Sequence, residues 1–360
     1  MTTTSAPPLP DLADRMLAAV VGSLEIAAVA LGHRLGWYAC LDGSEPVTAA
    51  ELAERAGTDA RYTREWLEQQ AVAGYLAVDD GARAPDDRRY SLPDAHRAVL
   101  VDELDPAHMM PLADATVAFV RFLPRLAQVY RGTRTLSWTD LGDDVRDAQA
   151  AANRPFLAGA LVDEVLPAVP GVDDALRAGG RVADIGCGYG WSTIAMAGRW
   201  PTARVDGFDV DLPSVERARQ HAVDAGVAER VTVSTDDVRQ LEAAQAYDLV
   251  IAVECVHDVP DPVGMLDAMR RLVRPGGTVL VLDEAVAEEF TAPGDEVDRL
   301  MYGYSLLCCL PDGRSHGPSA ATGTVMRPAT FRRYAQDAGF ADVEVLPLDA
   351  GFFRVYRLVP

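Results

Sequence analysis

From Arg181 to the C-terminus the chain repeats one rhythm, a short β-branched run followed by a stretch of helical periodicity. The first five runs are "RVADIG", "ARVDGFDV", "RVTVST", "YDLVIAVE" and "TVLVLDEA", and the last two, "VEVLPL" and "FFRVYRLV", read as a hairpin. Strands joined by helical crossovers pair in parallel, because a parallel neighbour is reached only by crossing the sheet. The expected fold class is therefore α/β. Residues 179–360 should form a seven-stranded Rossmann-like domain with a mostly parallel sheet and a terminal antiparallel hairpin.

The first strand runs into "ADIGCGYGWST", which places Gly186, Gly188 and Gly190 in a G-x-G-x-G turn. Glycine suits such a turn because the backbone bends sharply and a ligand can approach without a Cβ in the way. A dinucleotide fingerprint would want its third glycine at 191, where the chain has Trp191. Nineteen residues beyond Gly190, the second strand ends at Asp209, whose carboxylate can accept from both hydroxyls of a ribose. After the third strand, Asp237 can accept from an adenine amino group, and Val238 can offer its N–H to a ring nitrogen. Asp184 stands beside the glycines, available to a cationic amino-acid tail. Each acid alone is an ordinary strand-end residue, but in this order they describe a clamp for an adenosine joined to an amino acid.

Upstream, "VTAAELAERAGTDARYTREWLEQQAVAGY" carries a capping box at Thr48 and Glu51, a helix stop at Gly57 and a second helix from Asp59. "YLAVDD" and "RRYSL" then alternate around a polar loop, completing a winged helix over residues 1–100. Such a unit reads DNA or serves enzymes as a dimerisation domain. Net charge of −21 disfavours phosphate backbones and anionic membranes, so a homodimer is expected, with no nucleic-acid or membrane partner. The apolar run Met16 to Gly32 is interrupted by Glu25 and reads as a buried or dimer-forming helix, short for a membrane span. Residues 101–178 follow a helical pattern and should form a linker and substrate lid.

All 33 basic residues are arginine, which excludes lysine Schiff-base chemistry, a pyridoxal-phosphate anchor and a Walker-A lysine. Cys40, Cys187, Cys255, Cys308 and Cys309 are odd in number and lack metal-ligand spacing, so neither a disulfide framework nor a metal site is expected. They read as reduced thiols in the cytoplasm.

The glycine loop and the ordered strand-end acids resemble class I S-adenosylmethionine-dependent methyltransferases. In that family the glycine loop holds the methionine part, the second-strand acid the ribose and the third-strand acid the adenine. "LGHRLGWYACL", "RYTREWLEQQAVAGYL" and "MYGYSLLCCLP" resemble a bacterial group of these enzymes with an N-terminal winged helix. "VECVHDVPDP" is similar to the "HD" segment of small-molecule O-methyltransferases, in which the histidine is the general base, although Val259 stands where those enzymes place an aromatic residue. The resemblance implies S-adenosyl-L-methionine as cofactor, an aromatic or polyketide-like secondary metabolite as acceptor and His257 as base. A base should be mainly neutral at pH 7 and held on its other nitrogen by a carboxylate, with Glu284 expected first and Glu254 second. Glu254 is also counted with the cofactor residues. Trp138, Phe156, Tyr302, Cys308 and His316 are the expected acceptor-binding residues. Three alternatives stay open: N- or C-methylation with His257 orienting the acceptor, a cofactor-binding regulator, and a non-methylating enzyme that uses the sulfonium only as a charge.

Overall fold

The computed structural model describes residues 9–242 and 245–360, which divide into two compact units. One comprises residues up to Val120 together with Asp147–Ala152, and the other Arg121–Arg146 and Asn153–Pro360.

In the first unit, Thr48 caps the helix Ala49–Ala56: the Thr48 hydroxyl accepts from Glu51 N, and the Glu51 carboxylate accepts from Thr48 N. Each such cap stabilises a helix by about 1 kcal/mol. Gly57 closes the helix at φ +65°, and Asp59 caps the next, Ala60–Val72. Trp66 of that helix meets Trp37 at 4.6 Å between ring centroids, over a core that includes the fully buried Leu52 and Leu67. Two short antiparallel strands, β1 (Ala77–Val78) and β2 (Tyr90–Ser91), make the wing. The arginines are paired with acids, Arg61 with Glu65, Arg64 with Asp86, Arg88 with Glu68 and Arg89 with Glu51.

The helix Leu9–Arg34 has 26 residues, longer than its apolar run, so length does not exclude a membrane span, contrary to the sequence expectation. Val29 and Ala30 near its end are buried, but Met16, Leu17 and Leu24 remain 59%, 62% and 67% exposed.

The second unit is built on a seven-stranded sheet. Its strands are β3 (Arg181–Ile185), β4 (Arg204–Phe208), β5 (Val231–Ser234), β6 (Tyr247–Val253), β7 (Val273–Glu284), β8 (Asp342–Val345) and β9 (Phe353–Val359). Their order is β5-β4-β3-β6-β7-β9-β8, parallel through β7, with β9 antiparallel to both neighbours. Side chains of a strand alternate between faces. Thus Leu249, Ile251, Leu280 and Leu282 bury in one apolar layer with Trp200, while Val250, Ala252, Val279 and Val281 bury in the other with Leu266 and Phe331. Burial on both faces is why β6 and β7 read as continuous apolar runs. The strand order reverses between β3 and β6, and in open α/β sheets ligands bind outside the C-terminal strand ends at that point.

Candidate active site

The turn after β3 folds back over the end of β4, with Gly186 N and Cys187 N both donating to Phe208 O. A Cβ on Gly186 would stand 2.6 Å from Cys255 Sγ, so only glycine fits there. Gly188 has φ +51° and nothing within 4 Å of where its Cβ would be: its face is open. Gly188 N donates to Asp209 Oδ2 (2.8 Å) and Asp211 N to Asp209 Oδ1 (2.9 Å), so the glycine loop and the end of β4 are tied through one carboxylate. Burial pushes Asp209 up to about 6, against the lowering effect of the two amides. Asp211 in turn caps the helix Leu212–Asp224 and is gripped by both arms of the buried Arg146 (2.8 and 2.9 Å).

Asp184 behaves otherwise than expected. It is 1% exposed, and its Oδ2 accepts from Ser192 Oγ and Thr193 Oγ1, both at 2.6 Å. It fastens the turn to the helix Trp191–Arg199 from beneath instead of presenting a carboxylate to an amino-acid tail. Burial raises its pKa, and the two hydroxyls oppose the rise. Asp237, half-buried after β5, accepts from Arg239 N and is ion-paired to the Arg239 guanidinium (2.6 Å), which holds its carboxyl below the usual range. The Val238 side chain is buried in the core beneath.

Past β6, Glu254 adopts φ +53°, a region that L side chains rarely enter, and its amide donates to Leu282 O (2.8 Å). Its carboxylate accepts from Asn153 Nδ2 and is hydrogen-bonded to Glu284 at the end of β7. His257 is 2% exposed. Its Nδ1 faces Asp283 Oδ1 at 2.8 Å, so the carboxylate that holds the ring is Asp283, not Glu284 or Glu254. Adjacent residues of β7 point to opposite faces of the sheet, and Asp283 has the face that His257 occupies. On the other side of the ring, Nε2 lies 3.3 Å from Asp258 Oδ1, and the Cys309 thiol also bonds to it. Burial pulls the imidazole pKa down, but the charges of Asp258 and Asp283 outweigh it and hold the pKa well above 6.5. The carboxylates on its two sides thus favour the protonated ring, a direction opposite to that expected of a base kept neutral.

Cys309 belongs to a π-helical turn, Ser305–Cys309, between the helices Glu296–Tyr304 and Leu310–Gly313. The buried Cys308 is its neighbour, and Tyr304, pushed up to about 12 by burial, lies close enough to Glu254 and Glu284 to feel their charge. Of the other expected acceptor residues, Trp138 N donates to Asp312 Oδ1 (2.6 Å), a carboxyl that burial raises to about 7. Phe156 packs on Phe353 in the apolar layer, with 4.9 Å between centroids. Tyr302 bonds to Arg327 within the Arg327–Asp298 pair. His316 is 63% exposed and 4.0 Å from Asp312. Asp283 and Asn153 carried no sequence motif of their own, and Cys309 was marked only by its place in "MYGYSLLCCLP"; the "DE" at the end of the fifth strand was the one signal that pointed near Asp283.

A glycine turn with one open face, a strand-end acid tied to it, a third-strand acid and a polar cluster after the fourth strand define an adenosyl-cofactor enzyme of the doubly wound class. Residues 182–277 match the family model described as "Methyltransferase domain", and residues 23–102 match the "Rv2258c-like winged HTH domain". A ubiquinone biosynthesis O-methyltransferase of Stutzerimonas stutzeri is 30% identical over 174 residues, 48% of this chain and 68% of that protein. One of Aeromonas salmonicida is 38% identical over 103 residues, but the chain spans only 42% of its length. Among solved structures, PigF with SAH has a TM-score of 0.75 at 20% identity, covering 99% of this chain and 100% of that one. Human N-acetylserotonin methyltransferase in complex with SAM has 0.67 at 19%, covering 100% and 99%. These two are likenesses of fold. The chain belongs to the S-adenosyl-L-methionine-dependent methyltransferases, in the form that carries an N-terminal winged helix.

The residues fit that cofactor. The open face of Gly188 leaves the close approach that a ligand needs, and Asp209 stands at its edge with both oxygens already oriented by amides.

Proposed function

We propose that the chain transfers a methyl group from S-adenosyl-L-methionine to a hydroxyl oxygen of a small aromatic or polyketide-like molecule. The observation that supports this most is the polar cluster Glu254, His257, Asp258 and Glu284 at the ends of β6 and β7, beside the strand-order reversal where the glycine loop opens. A hydroxyl must lose a proton as its oxygen is methylated, whereas a neutral amine reacts through a free lone pair, so proton-handling groups at this place favour oxygen. The names of the curated relatives, O-methyltransferases of ubiquinone biosynthesis, agree.

In this reading Asp209 holds the ribose, Asp237 and the Val238 amide the adenine, and Gly186, Gly188 and Gly190 the methionine part. Trp138, Tyr302, Cys308 and His316 belong to the acceptor side, and Phe156 supports it from the core. His257, fixed by Asp283, stands among the acids of the polar cluster. The N-terminal unit is a dimerisation domain, DNA and membranes are not partners, and the protein works in the cytoplasm.

Incubation with isotopically labelled methyl donor and a panel of phenols tests the reaction. The product should gain about 14 Da, one CH2, with the label on oxygen by heteronuclear NMR. Label found on nitrogen or carbon, or no gain in mass with any hydroxyl, would refute the reading.

A further inference from the structure

Glu254 and Glu284, at the C-terminal ends of adjacent parallel strands, are hydrogen-bonded to each other. Two carboxylates at that distance in a dry site do not both ionise, so the pair keeps a proton between them. The partners are not equivalent. Glu284 is 3% exposed, and its Oε2 meets no donor among the described residues, which makes it the natural seat of the shared proton. Glu254 is partly exposed and also accepts from Asn153 Nδ2, so it is the member that an acceptor can reach. Its left-handed backbone is a strained conformation of the kind that persists where it places a side chain for a task. His257, by contrast, is 2% exposed, with Asp283 on one nitrogen and Asp258 and Cys309 at the other.

We infer that Glu254, backed by Glu284, takes the proton of the acceptor hydroxyl, and that His257, with a carboxylate at each ring nitrogen, stands beside the pair as a positioning residue. The inference rests on the O-methylation reading above. Bound S-adenosyl-L-methionine supplies the methyl group, its S–C bond breaking with the electron pair left on sulfur as a lone pair of the acceptor forms the O–C bond. The hydroxyl proton passes to Glu254. The pair then holds two protons and returns one to water when the product leaves. The charged and titratable groups around it are His257, Asp258, Asp283, Tyr304, Cys308 and Cys309. His257 favours the ionised form of Glu254, Asp258 opposes it, and Tyr304 stays a neutral hydroxyl near the pair.

The test compares Glu254→Gln, Glu254→Asp, Glu284→Gln and His257→Gln in the full-length chain. For a weakly acidic phenol, Glu254→Gln should lower kcat by about 10² to 10⁴. The loss should shrink for a phenol acidic enough to arrive ionised, and Glu254→Asp, which keeps the carboxylate one methylene short, should fall between. Glu284→Gln should shift the acid limb of the pH–kcat profile to higher pH, because an amide donates to ionised Glu254 more weakly than the Glu284 carboxyl does. Infrared spectra of the ligand-free protein should show protonated-carboxyl absorption at neutral pH that weakens in Glu284→Gln. Calorimetry with S-adenosylhomocysteine should detect binding by all four variants, which shows that they fold. A wild-type chain that O-methylates while Glu254→Gln is equally fast overturns this inference alone, as does protonated-carboxyl absorption that Glu284→Gln leaves unchanged. A chain that methylates only nitrogen or carbon overturns the O-methylation reading and this inference with it.

Discussion

Asp209 makes its two amide contacts before any ligand arrives, which fixes where its remaining lone pairs point. Asp209→Ala should weaken S-adenosylhomocysteine binding about ten- to hundred-fold by calorimetry, as expected for loss of charge-assisted hydrogen bonds. With its pKa at about 6, cofactor affinity of the wild-type chain should fall as pH drops through that value, since protonation removes acceptor capacity. Affinity flat from pH 7.5 to 5 would place the ribose elsewhere. The place of Asp209 at the end of the second strand was readable in the sequence, whereas the hydrogen-bond partners of Asp184 and His257 were not. Asp184 stands in the same loop motif, but which way a strand-end carboxylate points depends on parity along the strand, and a shift of one residue reverses the face. The same parity exchanged Glu284 for Asp283 beside His257. No sequence pattern brought Asn153, a hundred residues upstream in the chain, to Glu254.

Elements were more legible than side chains. The capping box at Thr48 and the stop at Gly57 stand where the sequence put them, because caps are local chemistry. The seven strands and the closing hairpin follow from apolar runs whose length and spacing leave few ways to bury both faces. The first helix was read too short because its polar opening turns, from Leu9 to Arg15, extend it beyond the apolar run by which it was recognised. That helix leaves a broad apolar face in water, larger than isolated surface residues explain. In the dimer reading a second copy of this chain covers it. Leu17→Glu with Leu24→Glu should then convert a dimer to a monomer by sedimentation velocity at micromolar concentration. A wild-type chain that sediments as a monomer, or that floats with lipid vesicles, would refute that reading.

For the molecule as a whole, the buried acids act together on stability. Asp184, Asp209, Glu254, Asp258, Glu284 and Asp312 are all raised, chiefly by burial, and His257 is raised by the carboxylates beside it against its own burial. Each holds a proton in the folded chain at a pH where the unfolded chain has released it. Stability from these groups is therefore present at low pH and lost as pH rises through their folded values, near 6 for Asp209 and near 7 for Asp312. His108, lowered by burial, works in the opposite direction. The ligand-free protein should melt a few degrees higher at pH 5.5 than at pH 7.5 by calorimetry, and a midpoint that falls on acidification over this range would contradict the account. The π-helical turn at Ser305–Cys309 carries a consequence of another kind. A π turn amounts to one residue inserted into an α-helix, and each residue advances the helix by about 100°. It therefore sets the phase between Tyr304, which faces the Glu254–Glu284 pair, and Cys309, which touches His257. A single-residue deletion there would keep the helix and its composition nearly intact yet turn one of these two side chains away, so the segment tolerates substitution far better than it tolerates a change of length.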